Sequence, residues 1–224
     1  MQQSFSEQVA ALLTQHGLDP AEAALQGAFC EALRAANEAI NLTGITDAPG
    51  MAVRHVLDSL LAREIVADSP TDRPLVDLGS GGGVPGIPLA LALPEREVVL
   101  VESRERKAAA LGRIVETLGL APRVRAVHAR GERWLADQTV DAVLTRAVGS
   151  TAEQLRMLSP VRTSFRRLIM FKGPAVDAEL CTTRSRFAKL GFAEPARHEF
   201  TLPDGAGRRT LLVFTTGDEE TAER

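Results

Sequence analysis

The apolar positions of the chain change their period near residue 70. Before that point they recur every three to four residues, as along one face of a helix. Ser4 or Ser6 can cap a first helix that reaches Gln15 and stops at Gly17. Asp19-Pro20 sets a capping carboxylate before a proline at the first helical position, and opens a second helix running to about Ile40. Asn41-Leu42-Thr43-Gly44 breaks it. Val53, Val56, Leu57, Leu60 and Leu61 then stripe a third helix over roughly 51–67.

Beyond Pro70 short apolar runs alternate with amphipathic stretches. Residues 75–78, 98–101, 124–127, 140–144 and 168–171 read as buried strands. An apolar helix follows the first. A helix over 104–118 turns Ala108, Leu111, Ile114, Val115 and Leu118 inward, and another over about 176–190 is closed by Gly191. Residues 196–202 and 209–215 flank Pro203-Asp204-Gly205-Ala206-Gly207 and predict a hairpin. The alternation implies an α/β fold, a mostly parallel seven-stranded sheet with helices on both faces and an antiparallel edge hairpin. The expected division is a helical extension over 1–70, a ligand-binding domain over 71–217 and a polar tail over 218–224.

Composition narrows the class. With 45% hydrophobic and 25% charged residues the chain reads as globular. Its most apolar stretch, Val84 to Leu93, is short and contains Pro85 and Pro88, so no membrane span is expected. The first residues lack a basic region followed by an apolar run, which points to the cytoplasm. Cys30 and Cys181 are far apart, and neither they nor His16, His128 and His198 show metal-ligand spacing; no metal is expected. A net charge of -3 gives no global footprint for nucleic acid, so RNA binding would need a local patch. Lys107, Lys172 and Lys189 are the only lysines; taken alone, the arginine excess reads as codon bias and solvated helix faces. No exposed apolar stripe suggests a partner subunit, so a monomer is expected.

The strongest chemical signal is Asp77-Leu78-Gly79-Ser80-Gly81-Gly82-Gly83-Val84-Pro85-Gly86, after the first strand and before the apolar helix. Glycines there let backbone approach a ligand closely. Gly81, Gly83 and Gly86 fit the dinucleotide spacing G-x-G-x-x-G. Gly79, Gly81 and Gly83, preceded by Asp77, fit the D-x-G-x-G-x-G loop of adenosylmethionine enzymes. The prolines favour the second reading, because a pyrophosphate wants free N–H groups at the helix start. Asp77 suits a sulfonium or amino group. Glu102, ending the second strand, can accept two ribose hydroxyls. Gly131 and Glu132, after the third strand, can read an adenine edge.

The fourth strand runs into Thr145-Arg146-Ala147-Val148-Gly149, which lacks an Asn/Asp-Pro-Pro-aromatic run, a Pro-Cys nucleophile and a general base. An acceptor with a free lone pair, such as guanine N7, needs none; catalysis would rest on alignment and electrostatics. Arg146 can hold a carboxylate, guanine O6 or a phosphate, and Lys172 puts a second cation on the same rim. Arg54 and Asp58 are four apart on a helix and can pair. His55 reads as structural more than functional, and Trp134, Phe29, Phe187 and Phe192 as packing residues.

Several of these segments, in order, resemble the RsmG/GidB family of bacterial small-subunit ribosomal RNA guanine-N7 methyltransferases. They are Asn41-Leu42-Thr43, Arg54-His55-Val56-Leu57-Asp58-Ser59, the loop from Asp77 through Val84-Pro85-Gly86-Ile87-Pro88, Thr145-Arg146-Ala147 and Lys172-Gly173, spanning roughly residues 37–175. The resemblance implies a class I, Rossmann-like methyltransferase fold with an N-terminal extension. It implies S-adenosyl-L-methionine contacts at Gly79, Val84, Gly131, Glu132 and Arg146, and a guanine of 16S ribosomal RNA near the decoding region as substrate. Thr145 stands where the family often has serine, and Glu102 where it has aspartate; both changes keep the functional group. Two other readings are a nicotinamide-dependent oxidoreductase and a non-catalytic RNA-binding factor with a retained cofactor pocket.

Overall fold

The computed structural model describes residues 3–68 and 72–216. The polar tail expected at 218–224 and the junction at residue 70 lie outside them. Helix α1 (Phe5–Gln15) opens on a capping box: the Ser4 hydroxyl accepts the Glu7 N–H and the Glu7 carboxylate accepts the Ser4 N–H. Helix α2 (Pro20–Ala39) starts on Asp19, whose carboxylate accepts the N–H groups of Ala21 and Glu22. Asn37 Oδ1 accepts the N–H groups of Leu42 and Thr43 and folds the breaker segment back on α2.

The third expected helix is composite. Short α3 (Ala48–Gly50) runs into a π-helical segment, Met51–Leu57, which continues into α4 (Asp58–Leu60); a break precedes α5 (Arg63–Ala67). The predicted stripe still faces inward: Val53 and Val56 are buried, and Leu57, Leu60 and Leu61 pack half-buried against the core. The wider π turns are a feature that hydrophobic period does not reveal, and they tend to mark functional sites.

The remaining elements alternate: β1 (Leu75–Leu78), α6 (Gly86–Ala92), β2 (Val98–Glu102), α7 (Glu105–Thr117), β3 (Val124–His128), α8 (Gly131–Leu135), β4 (Val140–Arg146), α9 (Thr151–Leu158), β5 (Phe165–Lys172), α10 (Val176–Thr183), β6 (Ala196–Leu202) and β7 (Gly207–Thr215). Helices α8 and α9 had no reading in the sequence. The expected helix over 176–190 ends early as α10 and continues in two 3-10 turns, closed by Gly191 at φ +80°.

The strand order is β3-β2-β1-β4-β5-β7-β6. Strands β1 to β5 pair in parallel, while β7 runs antiparallel to both β5 and β6, forming the predicted hairpin. Alternate residues serve opposite faces. Leu75 and Leu100 join a core with Ile87 and Leu111 that also takes in Val9, Leu13, Phe29 and Leu33 of the N-terminal helices. Val76, Val99 and Val143 face a second core, where Phe187 and Phe192 meet Phe214 edge-on at centroid distances of 5.3 and 5.8 Å. Among the described residues no helix is long and apolar enough to cross a membrane. Chain order reverses between β1 and β4, so a crevice opens at their carboxyl ends, where open α/β sheets bind ligands.

Candidate active site

The glycine loop leaves β1 at that crevice. Gly79, Gly81 and Gly83 have φ of +76°, +53° and +83°, a region L side chains rarely adopt. The N–H groups of Gly79 and Ser80 donate to the Val101 carbonyl at 2.8 and 3.2 Å, pinning the loop to β2. Gly81 N–H donates to Glu102 Oε2 at 3.1 Å, and Arg104 N–H to Glu102 Oε1 at 2.8 Å. The nearest atom to a Cβ built on Gly81 is the Gly79 carbonyl at 3.8 Å, so the space over the loop is open. A Cβ on Gly131 would stand 2.6 Å from the Leu78 side chain, so the turn carrying Gly131 and Glu132 comes down on the end of β1. Val84, at the far end of the loop, is buried. The structure thus gathers the loop, Glu102 and Gly131 at one rim, with the buried Glu102 carboxylate bonded to the loop backbone.

The start of α6 has no spare donor. Gly86 N–H donates to Asp77 Oδ2 at 2.9 Å and Ile87 N–H to the Gly83 carbonyl at 2.8 Å, while Pro85 and Pro88 have no N–H. A dinucleotide pyrophosphate would find nothing to bind there. Asp77 itself lies beneath the loop, 1% exposed. Burial pushes its carboxyl up to about 6, against the Gly86 hydrogen bond and the nearby Arg146 charge.

That shift predicts a pH dependence. With a folded value above the unfolded 3.8, wild type holds a proton that the unfolded chain releases, and loses stability as pH rises toward 6. Asp77→Asn removes this loss. Relative to wild type, the variant is expected to gain about 2 kcal/mol between pH 4 and pH 7. Urea unfolding of both proteins at the two pH values measures it; a constant difference would show that Asp77 is not buried as a proton-holding carboxyl.

Arg146, at the end of β4, is held by the π-helical segment. Its Nη1 donates to the Arg54 carbonyl at 2.8 Å and to Asp58 Oδ2 at 3.2 Å, and its Nη2 to His55 Nδ1 at 3.3 Å. His55 is buried, and its Nε2 meets Thr43 Oγ1 at 2.8 Å. Burial and the Arg146 charge lower its pKa to about 4, so the ring is neutral at pH 7; its Nδ1 lies 3.3 Å from both the Arg54 carbonyl and Arg146 Nη2. The expected Arg54–Asp58 pair does not form. Asp58 is buried and turned to the sheet, where its Oδ1 accepts from Arg209 Nε at 2.6 Å while Oδ2 takes Arg146; the Arg54 side chain is exposed. Helical spacing could not show this, because two guanidinium groups from β4 and β7 compete for the carboxylate.

Lys172, at the end of β5, is buried. Its Nζ donates to the Gly149 carbonyl at 3.2 Å and to Glu179 Oε2 at 2.8 Å. The same Glu179 oxygen accepts from Thr151 N and Oγ1 at 3.0 and 2.7 Å. Burial opposes ionisation of Glu179, but these hydrogen bonds prevail and hold its pKa below the ordinary value. Arg146 and Lys172 do share a rim: both line a cleft of about 420 Å³ with Asp58, Phe171 and Arg209. Between them the chain kinks at Ala147, a non-glycine at φ +57°, which carries Val148 over Gly79. Sequence reasoning missed Arg209 entirely; its Arg208-Arg209 dipeptide on a late strand carries no local signal.

The strand order with its reversed β7, and a glycine loop at the switch point, define the class I methyltransferase fold. The N-terminal domain of human METTL16, in complex with SAH, shares it at a TM-score of 0.61 and 16% identity, over 88% of this chain and 83% of that one. Magnesium protoporphyrin IX methyltransferase of Synechocystis, with bound SAM, does so at 0.52 and 21%, over 72% and 78%. Within that class, the chain belongs to the GidB family, rRNA small subunit methyltransferase G, whose model matches residues 23–205. Ribosomal RNA small subunit methyltransferase G of Solibacter usitatus is 34% identical over 176 residues, covering 79% of this chain and 82% of that protein. The protein of that name from Roseiflexus castenholzii is 39% identical over 186 residues, covering 81% and 78%.

Proposed function

We propose that the protein methylates N7 of a guanine in 16S ribosomal RNA near the decoding region, working as a monomer in the cytoplasm with S-adenosyl-L-methionine as methyl donor. The observation that carries the choice of atom is the state of the bases at the cleft. Asp58 gives one oxygen to each of two arginines, and Glu179 is bound by Lys172 and Thr151. His55, behind Arg146, has both ring nitrogens engaged. Among the described residues at this cleft, an acceptor that must lose a proton meets only bases that are already engaged, whereas N7 of guanine presents an in-plane lone pair and needs none.

The residues at the rim fit the donor. Gly79, Gly81, Gly83 and Val84 would line its methionyl and ribose portions, Glu102 would take the ribose hydroxyls, and Gly131 with Glu132 the adenine edge. When bound, S-adenosylmethionine supplies a methyl group activated on a sulfonium. Arg146 and Lys172 orient the partners: Arg146 toward the methionyl carboxylate or guanine O6, Lys172 by holding the β4–α9 turn over the cleft. Direct in-line transfer then depends on alignment, with no proton to move.

Small subunits from a strain lacking this protein should receive labelled methyl from S-adenosylmethionine, recovered as 7-methylguanosine on nucleoside analysis. Label in another nucleoside would overturn the choice of N7. Cofactor binding with no label on any ribosomal particle would favour the RNA-binding factor.

A further inference from the structure

We propose that the β3 edge of the sheet is the surface that docks the phosphates of the RNA; the proposal rests on RNA being the substrate. The chain has 26 Lys and Arg against 29 Asp and Glu, yet residues 103–133 hold eight basic and three acidic, a local +5 that leaves -8 for the rest. The pairing is segregated as sharply as the charge. Twelve arginines and lysines elsewhere form ion pairs, while among the described residues none of the eight in this segment does. A set of neighbouring cations that forms no ion pair keeps its charge available to an anionic partner.

The fold brings five of these eight, Arg104, Arg106, Arg125, Arg130 and Arg133, to one edge. Strand β3 is the outer strand, paired only with β2, in the register Glu102 to His128. The loops that follow the two strands are therefore neighbours, and His128 Nε2 contacts the Ser103 carbonyl at 3.2 Å. Arg104 and Arg106 open α7 on one side of the edge, and Arg130 and Arg133 flank the start of α8 on the other; all four are exposed. Both loops adjoin Glu102 and Gly131, at the ligand end of the sheet. Arg125, exposed on β3 itself, lies over the half-buried Trp134 ring at 6.0 Å, adding a stacking surface to the cations. RNA held along this ridge would reach the crevice from the β3 side. The overall negative charge does not oppose this, because exposed charges beyond a Debye length are screened.

The test is a triple variant, Arg106→Glu with Arg130→Glu and Arg133→Glu, compared with a control, Arg156→Glu with Arg186→Glu and Lys189→Glu. Small-subunit binding is measured by co-sedimentation across a salt series, S-adenosylmethionine affinity by calorimetry, and transfer at saturating subunits. The ridge variant should bind subunits at least tenfold more weakly, with a salt slope shallower by about 3, while cofactor affinity stays within twofold and the control matches wild type. Unchanged subunit binding and salt slope would overturn the proposal, as would an equal loss in the control. A parallel loss of cofactor affinity would place these residues in the cofactor pocket and overturn it too. Subunit binding does not depend on turnover, so a wild type that transfers no methyl would sink the guanine reading while the salt series still decides on the ridge.

Discussion

Arg146→Ala is expected to lower methyl transfer to small subunits by about 10²–10³-fold, the range seen when one preorganised electrostatic contact is removed from a reacting centre. The expectation comes from how the guanidinium is held. Three acceptors, the Arg54 carbonyl and His55 Nδ1 on the π-helical segment and Asp58 at the start of α4, fix its plane at the end of β4. Such a fork is set for one orientation before any ligand arrives. Arg146→Lys should recover little, because an ammonium cannot span Asp58 and His55 together or present a planar face. Asp58→Asn keeps the shape but removes the charge that holds Arg146 and Arg209, and should share much of the loss. Single-turnover transfer, paired with calorimetry for S-adenosylmethionine, separates the roles. A fall in cofactor affinity alone would assign Arg146 to the methionyl carboxylate; a fall in transfer with intact affinity would assign it to the guanine. Full activity in Arg146→Ala would reduce the network to scaffolding.

The sequence shows the parts of this arrangement that depend on local pattern. The caps at Ser4 and Asp19, the five parallel strands and the hairpin each rest on periodicity or on residues with one conformational use, and the structure places them within a few residues of expectation. Helices α8 and α9 escaped because five and eight residues give too few turns for a period to emerge. The glycine loop was legible since positive φ demands glycine, yet Ala147 takes the same region with no such signature. Arg54 and Asp58 mark the limit more clearly. Their spacing suggested a helical pair, but Asp58 answers to residues 88 and 151 positions away. Which partner wins a buried carboxylate is a matter of desolvation and tertiary geometry, and neither is written in spacing.

Asp141→Ala is expected to destabilise the protein by about 3–5 kcal/mol, the cost of stranding a buried charge. Asp141 stands near the start of β4, five residues and the length of the strand from Arg146, and is fully buried. Its carboxylate pairs with Arg96, itself 2% exposed, and with Arg167 Nη2 at 3.1 Å. Arg96 lies before β2 and Arg167 in β5, so one carboxylate ties three segments at the amino end of the sheet. Removing it takes away the carboxylate that both guanidinium groups share. Asp141→Asn should cost somewhat less, since an amide oxygen can still accept hydrogen bonds but offers no charge. Because ligands bind at the opposite end of these strands, the molecules that remain folded should transfer methyl at the wild-type rate. Urea unfolding gives the first quantity; transfer normalised to the folded fraction at low temperature gives the second. A small change in unfolding midpoint would mean that the two arginines find other acceptors or water. Loss of activity beyond the loss of folded protein would mean that the amino end of β4 positions Arg146, coupling through the strand what the two ends otherwise do separately.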